Sequence, residues 1–252
     1  MSVATVPHQR HRDYRQPPPR QSQHARIVSD LGLRIVTGAL EPGARLPGEA
    51  TLLAEYGVSR PVLREAVRVL VAKGLVLSRQ RAGAIVRPRN EWHLLDPDVL
   101  YWLIQSQPQG DFVETLLTVR RIFEPAAAAI AARSASDEAL QGIAQAYAGM
   151  EAARTPQDLL EPDLAFHRRI AEATNNDLLA YIGNMLSLAL RESIKLSSLH
   201  PNTHELSLPR HKAILTALLA RDPLAAHQAS LVQLKETRDD IWAILHKRLD
   251  LG

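Results

Sequence analysis

The chain has 252 residues, of which 46% are hydrophobic, 4% aromatic and none cysteine, with a formal net charge of +3. That length holds one large domain or two ordinary ones around a substantial core, and the missing cysteines exclude disulfides and thiolate metal sites. No apolar leader opens the chain and no stretch approaches the roughly 18 apolar residues of a membrane span, so a cytoplasmic protein without a membrane partner is expected. The charge is unevenly placed. Residues 1–90 carry 15 Lys/Arg against 6 Asp/Glu, and the remainder 15 against 21. Only the first part has the electrostatics to approach a polyanion.

Residues 1–22 contain Arg10, Arg12, Arg15, Arg20 and three consecutive prolines with almost no apolar side chains, the composition of a disordered basic tail. From Ile27 to Thr37 the apolar spacing predicts a helix, closed by Gly38, Pro42 and Gly43. Glu49 to Tyr56 predicts a second short helix ended by Gly57, and Ser59 is placed to cap a third, with Pro61 in its first turn. That third helix turns Leu63, Val67 and Leu70 to one side and Arg60, Arg64 and Arg68 to another. A helix, a tight turn and a second helix bearing a basic stripe is the arrangement that enters a DNA major groove. Leu75–Leu77 and Ala84–Val86 read as two short strands joined by a basic turn of Arg79, Gln80, Arg81 and Gly83, a wing with cations at its tip. A plain helical hairpin followed by a β-hairpin, its charges merely solvated, is the alternative on residues alone.

The run from G-A-L-E-P-G-A-R-L-P-G-E at Gly38, through V-S-R-P-V-L-R-E-A, to G-L-V resembles the winged-helix domain of the GntR family of bacterial transcription regulators over about residues 27–87. The resemblance implies that Ser59, Arg60 and Arg64 meet bases or phosphates and that Arg79, Arg81 and Gly83 bring the wing onto the backbone or minor groove. It places Arg45 and Glu49 in the L-P-G-E turn, with Arg45 a phosphate contact. Ala50 stands where some relatives have an arginine, which removes one base contact.

Residues 23–89 are thus expected as a winged helix-turn-helix domain, 90–107 as a linker with a helix near Val99–Gln105, and 108–252 as an all-α bundle. Helices are predicted near 111–133, 136–153, 157–174, 177–198, 207–220 and 223–247, separated at Ser134, Thr155–Pro156, Asn175–Asn176, Pro201–Asn202 and Asp222–Pro223. The fold class expected is mainly α. Within the bundle, Asp163 and His167 lie four residues apart on an otherwise apolar helix face, and His211 opens a later helix. A buried carboxylate needs a partner or a cation, and imidazole with carboxylate suits zinc, nickel or manganese. An Asp–His hydrogen bond in a polar core is the alternative.

The segments V-R-R-I-F-E-P-A-A-A-A, D-L-A-F-H-R-R-I-A-E-A-T-N-N and H-K-A-I-L-T-A-L resemble the FCD ligand-binding domain of the FadR-type branch. Many members hold a divalent metal there on one Asp and three His, and the metal helps bind a small carboxylate. Asp163, His167 and His211 match the first three ligands, whereas the fourth falls on Gln233. His227, six residues earlier and about 120° round the helix at ~100° per residue, is no substitute. His200 and His204 are expected in a loop. Arg120 and Arg191 are the candidate carboxylate clamps, each with a surface or interface ion pair as the alternative, and Gln233 is the third effector-binding candidate. The linker P-R-N-E-W-H-L-L-D-P-D-V-L-Y-W resembles that of galactonate-operon-like repressors of sugar-acid catabolism, which favours an aldonate-type effector over a fatty acyl one.

Together these readings describe a homodimeric repressor of operator DNA, not an enzyme. Two rivals are a metal-dependent hydrolase or lyase using Asp163, His167 and His211, and a non-specific architectural DNA-binding protein.

Overall fold

The structure is a computed structural model describing residues 22–79, 83–106, 109–198 and 202–249. Helix α1 (Gln23–Val36) buries Ile27, Val28, Leu31 and Ile35, a spacing that keeps one face apolar along its length. Helix α2 (Glu49–Tyr56) and helix α3 (Arg60–Ala72) follow, and α3 buries Leu63, Ala66 and Leu70. Val67 is only half-buried at the edge of this stripe. Ser59 is the N-cap residue of α3, but its side chain makes no capping hydrogen bond. Pro61 occupies the first turn, where its missing N–H breaks no helical bond.

Strand β1 (Val76–Arg79) pairs antiparallel with β2 (Gly83–Val86), with Val76 opposite Val86 and Arg79 opposite Gly83. Both strands are longer than their three-residue apolar runs, because the ladder continues through Ser78 and Arg79. The L-P-G-E segment is tied to this wing: Leu46 N–H donates to Ala84 O, and Val86 N–H to Ala44 O, both at 2.9 Å.

Helix α4 (Pro97–Ser106) is two residues longer at its start than its apolar run, since Asp96 accepts from the N–H groups of Asp98 and Val99 and so caps it. One face sends Val99, Trp102 and Leu103 into the same apolar cluster as α1 and α3, together with Trp92. Gly32 on α1 makes this docking feasible, because a Cβ there would sit 2.3 Å from the Trp102 ring. Gly74 ends α3 at φ +72° under Glu91 and His93, where a side chain is excluded by both conformation and space. Lys73, at the C-cap of α3, is buried and pairs with Asp96 at 2.8 Å and Asp98 at 2.7 Å. Burial alone lowers its pKa, yet these two carboxylates hold it above the ordinary lysine value. The other side of α4 places Leu100 against Leu116 and Ala189 of the helices that follow.

Those helices are α5 (Gln109–Ser134), α6 (Asp137–Ala152), α7 (Pro156–Glu172), α8 (Asp177–Ser197), α9 (Thr203–Leu219) and α10 (Pro223–Leu249). Ala127, Ala128, Ala131 and Ala132 let α5 approach its neighbours closely around Ile143, Met150, Phe166, Ile214 and Leu218. Helix α6 is capped by Ser136, which accepts from Ala139 N–H, and α7 by a reciprocal Thr155–Asp158 capping box. Helix α9 begins four residues before the predicted start and runs through Pro209, so His204 is helical rather than in a loop. Among the described residues no helix is long and apolar enough to cross a membrane.

Candidate functional site

Two places gather the predicted residues. The first is a groove of about 800 Å³ between α3 and the wing, lined in part by Arg45, Glu49, Arg64, Arg68, Val67 and Gly83. Its apolar floor is the edge of the core under Leu52 and Leu63, and its rim is cationic. Arg64 is exposed, and among the described residues no carboxylate pairs with it. Arg60 lies at the start of the same helix, largely exposed, its Nε 3.4 Å from Glu49 Oε1. An exposed pair of this kind holds geometry rather than stability. Ser59, uncommitted to capping, is exposed beside Arg60. Arg79 ends β1, and Arg81 lies outside the described residues.

The second place is inside the bundle. Helix α7 supplies Asp163 and His167, α9 supplies His211, and α10 supplies Gln233. Asp163 Oδ1 lies 3.2 Å from His167 Nε2 and 3.6 Å from His211 Nε2, and the two Nε2 atoms are 3.2 Å apart. Phe166, fully buried, packs edge-on against both imidazoles with ring centroids 5.8 and 5.2 Å away. The outer nitrogens are committed. His211 Nδ1 donates to Ser207 O at 2.8 Å, and His167 Nδ1 donates to Glu124 Oε2 at 3.2 Å. Each anchor leaves an Nε2 lone pair facing the centre, the arrangement by which a carboxylate or carbonyl prepares a metal-ligating histidine.

These atoms fit a divalent cation. With metal–ligand bonds of about 2.0–2.1 Å, ligand atoms around one ion sit about 3.0–3.4 Å apart, close to the separations present here. Asp163 Oδ1 is buried with the Nε2 atoms of both histidines as its near neighbours, so one cation would meet all three. Charge is already strongly organised around it. Burial alone would raise the carboxyl of Glu124, but Arg120 and His167 bring it down to about 2. Burial likewise opposes ionisation of Asp163, and the nearby His211 and His167 hold it well below the usual carboxylate range. Burial lowers His167, yet Glu124 and Asp163 carry it up to about 9.

Arg120 stands beside this centre with its side chain 2% exposed, held by Glu124 at 2.5 and 3.2 Å and by Ser193 Oγ at 3.1 Å. A narrow cavity of about 20 Å³, room for a single water or ion, is lined by Arg120, Asp163, Ser193, Ser207, His211 and Gln233 among others.

Comparison with known proteins identifies the two domains that hold these residues. Residues 23–86 match the bacterial regulatory proteins of the gntR family, and residues 115–235 match the FCD domain. The galactonate operon transcriptional repressor of Escherichia coli (strain K12) is 33% identical over 211 residues, covering 83% of this chain and 92% of that protein. The regulator LutR of Bacillus subtilis (strain 168) is 30% identical over 211 residues, covering 81% and 94%. The chain belongs to the GntR family. It falls in the branch that carries an FCD domain, and it is a DNA-binding transcription regulator rather than an enzyme. A solved structure of Lar, which controls the agr system of Listeria monocytogenes, shares the fold at TM-score 0.58 and 20% identity, covering 90% of this chain and 99% of that one.

Within this GntR regulator the remaining predicted residues separate. Arg191 turns to Glu161 on α7 at 2.7 Å and is not among the residues lining the cavity, so its ion-pair alternative describes it. His204 binds Met150 O at 3.1 Å and lines a different pocket near Thr155, while His200 lies outside the described residues. Glu124 escaped sequence reading although it touches both Arg120 and His167. Its four-residue spacing from Arg120 was the available signal. A second signal also went unread: Pro125, Pro162 and Pro209 each fall within two residues of Glu124, Asp163 or His211. A proline inside a helix breaks one backbone bond, a cost that among the described residues recurs only around the buried centre.

Proposed function

We propose that this GntR regulator is a homodimeric repressor of an operon for catabolism of a sugar acid or related small carboxylate. The effector carboxylate engages Arg120, and a divalent metal on Asp163, His167 and His211 assists it. The observation carrying this reading is a buried arginine beside a carboxylate and two imidazoles whose free nitrogens converge. Guanidinium suits a bidentate carboxylate, and a metal supplies a second anchor for the same anion. The match to a galactonate operon repressor favours an aldonate.

A six-carbon acid is larger than the present cavity, so its binding requires α8 and α9 to yield around Ser193 and Ser207. Helix α8 also carries Ala189, which packs on Leu100 of α4, and α4 is built into the core of the DNA-binding head. An effector that prefers the opened arrangement therefore shifts how the heads are held, by its differential affinity for the two states.

The homodimer is proposed on exposed apolar side chains of the bundle: Ile122 of α5 is 74% exposed and Leu178 of α8 73%, with Tyr181 and Ile182 of α8 exposed as well. Large apolar side chains left in water favour association. Ile122→Asp is expected to convert the dimer to monomer in sedimentation velocity while leaving the fold intact. A variant that remains dimeric would assign association to another face.

The function is tested by titrating the protein onto DNA from upstream of its own gene, with and without D-galactonate, D-gluconate, L-lactate or uncharged D-galactose, in the presence and absence of chelator. At least one acid is expected to weaken operator affinity tenfold or more, about 1.4 kcal/mol, and the neutral sugar is expected to have no effect. If every acid leaves both DNA affinity and melting temperature unchanged, the carboxylate-effector reading fails.

A further inference from the structure

Gln233 lies on the inward face of α10 with Ser230 and Thr237, and all three are buried. A glutamine placed there must use both ends of its amide or lose stability. Its Nε2 donates to Thr237 Oγ1 at 3.3 Å, but its Oε1 has no donor. Asp163 and His211, two of the candidate metal ligands, line the same narrow cavity as Gln233. That cavity admits one water-sized occupant, and a cation there would satisfy the Gln233 oxygen while meeting Asp163 and His211.

We infer that Gln233 is the fourth protein ligand of the metal site, bound through Oε1, and that the resulting set of two nitrogens and two oxygens shifts selectivity from zinc towards harder ions of the manganese type. The inference rests on the reading that Asp163, His167 and His211 hold a metal. Carbonyl and carboxylate oxygens suit manganese, magnesium and calcium, while imidazole favours zinc, nickel and copper. A third imidazole would strengthen the zinc preference, and an amide oxygen weakens it. Thr237 is the positioning residue, because it engages the amide nitrogen and leaves the oxygen for the site.

The test uses the full-length protein stripped by chelation, with Mn²⁺ and Zn²⁺ alone as probes. Affinities are measured by competition with a chromophoric chelator for the natural chain, Gln233→Leu and Gln233→His, and the Mn²⁺ electron paramagnetic resonance spectrum reports the coordination sphere. Gln233→Leu is expected to weaken Mn²⁺ by about tenfold or more and to alter that spectrum. Gln233→His is expected to tighten Zn²⁺ by about tenfold or more while moving Mn²⁺ by less than about threefold. Should Gln233→Leu fail to fold, the Zn²⁺-to-Mn²⁺ ratio of the histidine variant decides alone. Metal binding within about twofold of the natural chain in Gln233→Leu, or an unchanged ratio in Gln233→His, overturns the assignment of Gln233 and leaves the three-residue site standing. If neither ion binds the natural chain, a water between the two oxygens is the occupant, and both the inference and the metal reading fall.

Discussion

Glu124→Ala is expected to destabilise the helical domain by about 3–5 kcal/mol, the cost of removing one member of a buried ion pair. Arg120 is almost wholly shielded from solvent and takes Glu124 as its carboxylate partner through two contacts, with only the Ser193 hydroxyl besides. Truncation leaves a guanidinium in the bundle without a counter-charge, and it also releases His167 Nδ1. The loss is read as a fall in the urea midpoint monitored by helical circular dichroism. Glu124→Gln should lose clearly less, because its amide oxygen still accepts from one partner and the volume is kept. An alanine variant as stable as the natural chain would show that water or another acid replaces Glu124, and the account of Arg120 as a held, charged clamp would fail. Metal affinity should fall alongside in Glu124→Ala, by about 10–100-fold, since the anchor that directs His167 Nε2 to the centre is gone.

Arg64→Ala is the second large effect, and it should appear in DNA binding with no change in melting temperature. Arg64 is exposed on α3 and lines the groove between that helix and the wing, so its loss costs the fold little. Truncating an arginine that reads a base costs about 1–3 kcal/mol. In a two-fold symmetric dimer on two half-sites the loss occurs twice, giving about 2–6 kcal/mol, or roughly 30-fold to 10⁴-fold in affinity. The measurement is an operator titration at fixed salt, since salt alone moves such affinities by orders of magnitude. Retained operator affinity would remove α3 as the recognition helix. A loss equal on operator and random DNA would instead make Arg64 a phosphate contact.

How far each site was legible follows from how local its determinants are. The helices and strands around the groove between α3 and the wing were readable from local spacing. Leu63, Leu70 and Arg64 share one helix, and L-P-G-E lies a few residues away, so spacing alone sets which side chains face the core and which face outward. Asp163 and His167 were readable for the same reason, as an i, i+4 pair on one helical turn. The bundle's helices were readable from their breaks, except that α9 starts at Thr203, four residues before the expected position.

What the sequence by itself determined is therefore the family, the order of the helices, the exposed basic face of α3 and three of the residues at the buried centre. Only the tertiary structure decided that Arg120 is clasped by Glu124 while Arg191 turns away to Glu161. It also decided that Trp102 of α4 belongs to the core of the DNA-binding head, and that Gln233 lines the same narrow cavity as Asp163. The physical reason is periodicity. A helix fixes which of its own residues share a face, whereas which faces meet across tens or hundreds of residues is settled by packing and by the charges that burial forces together.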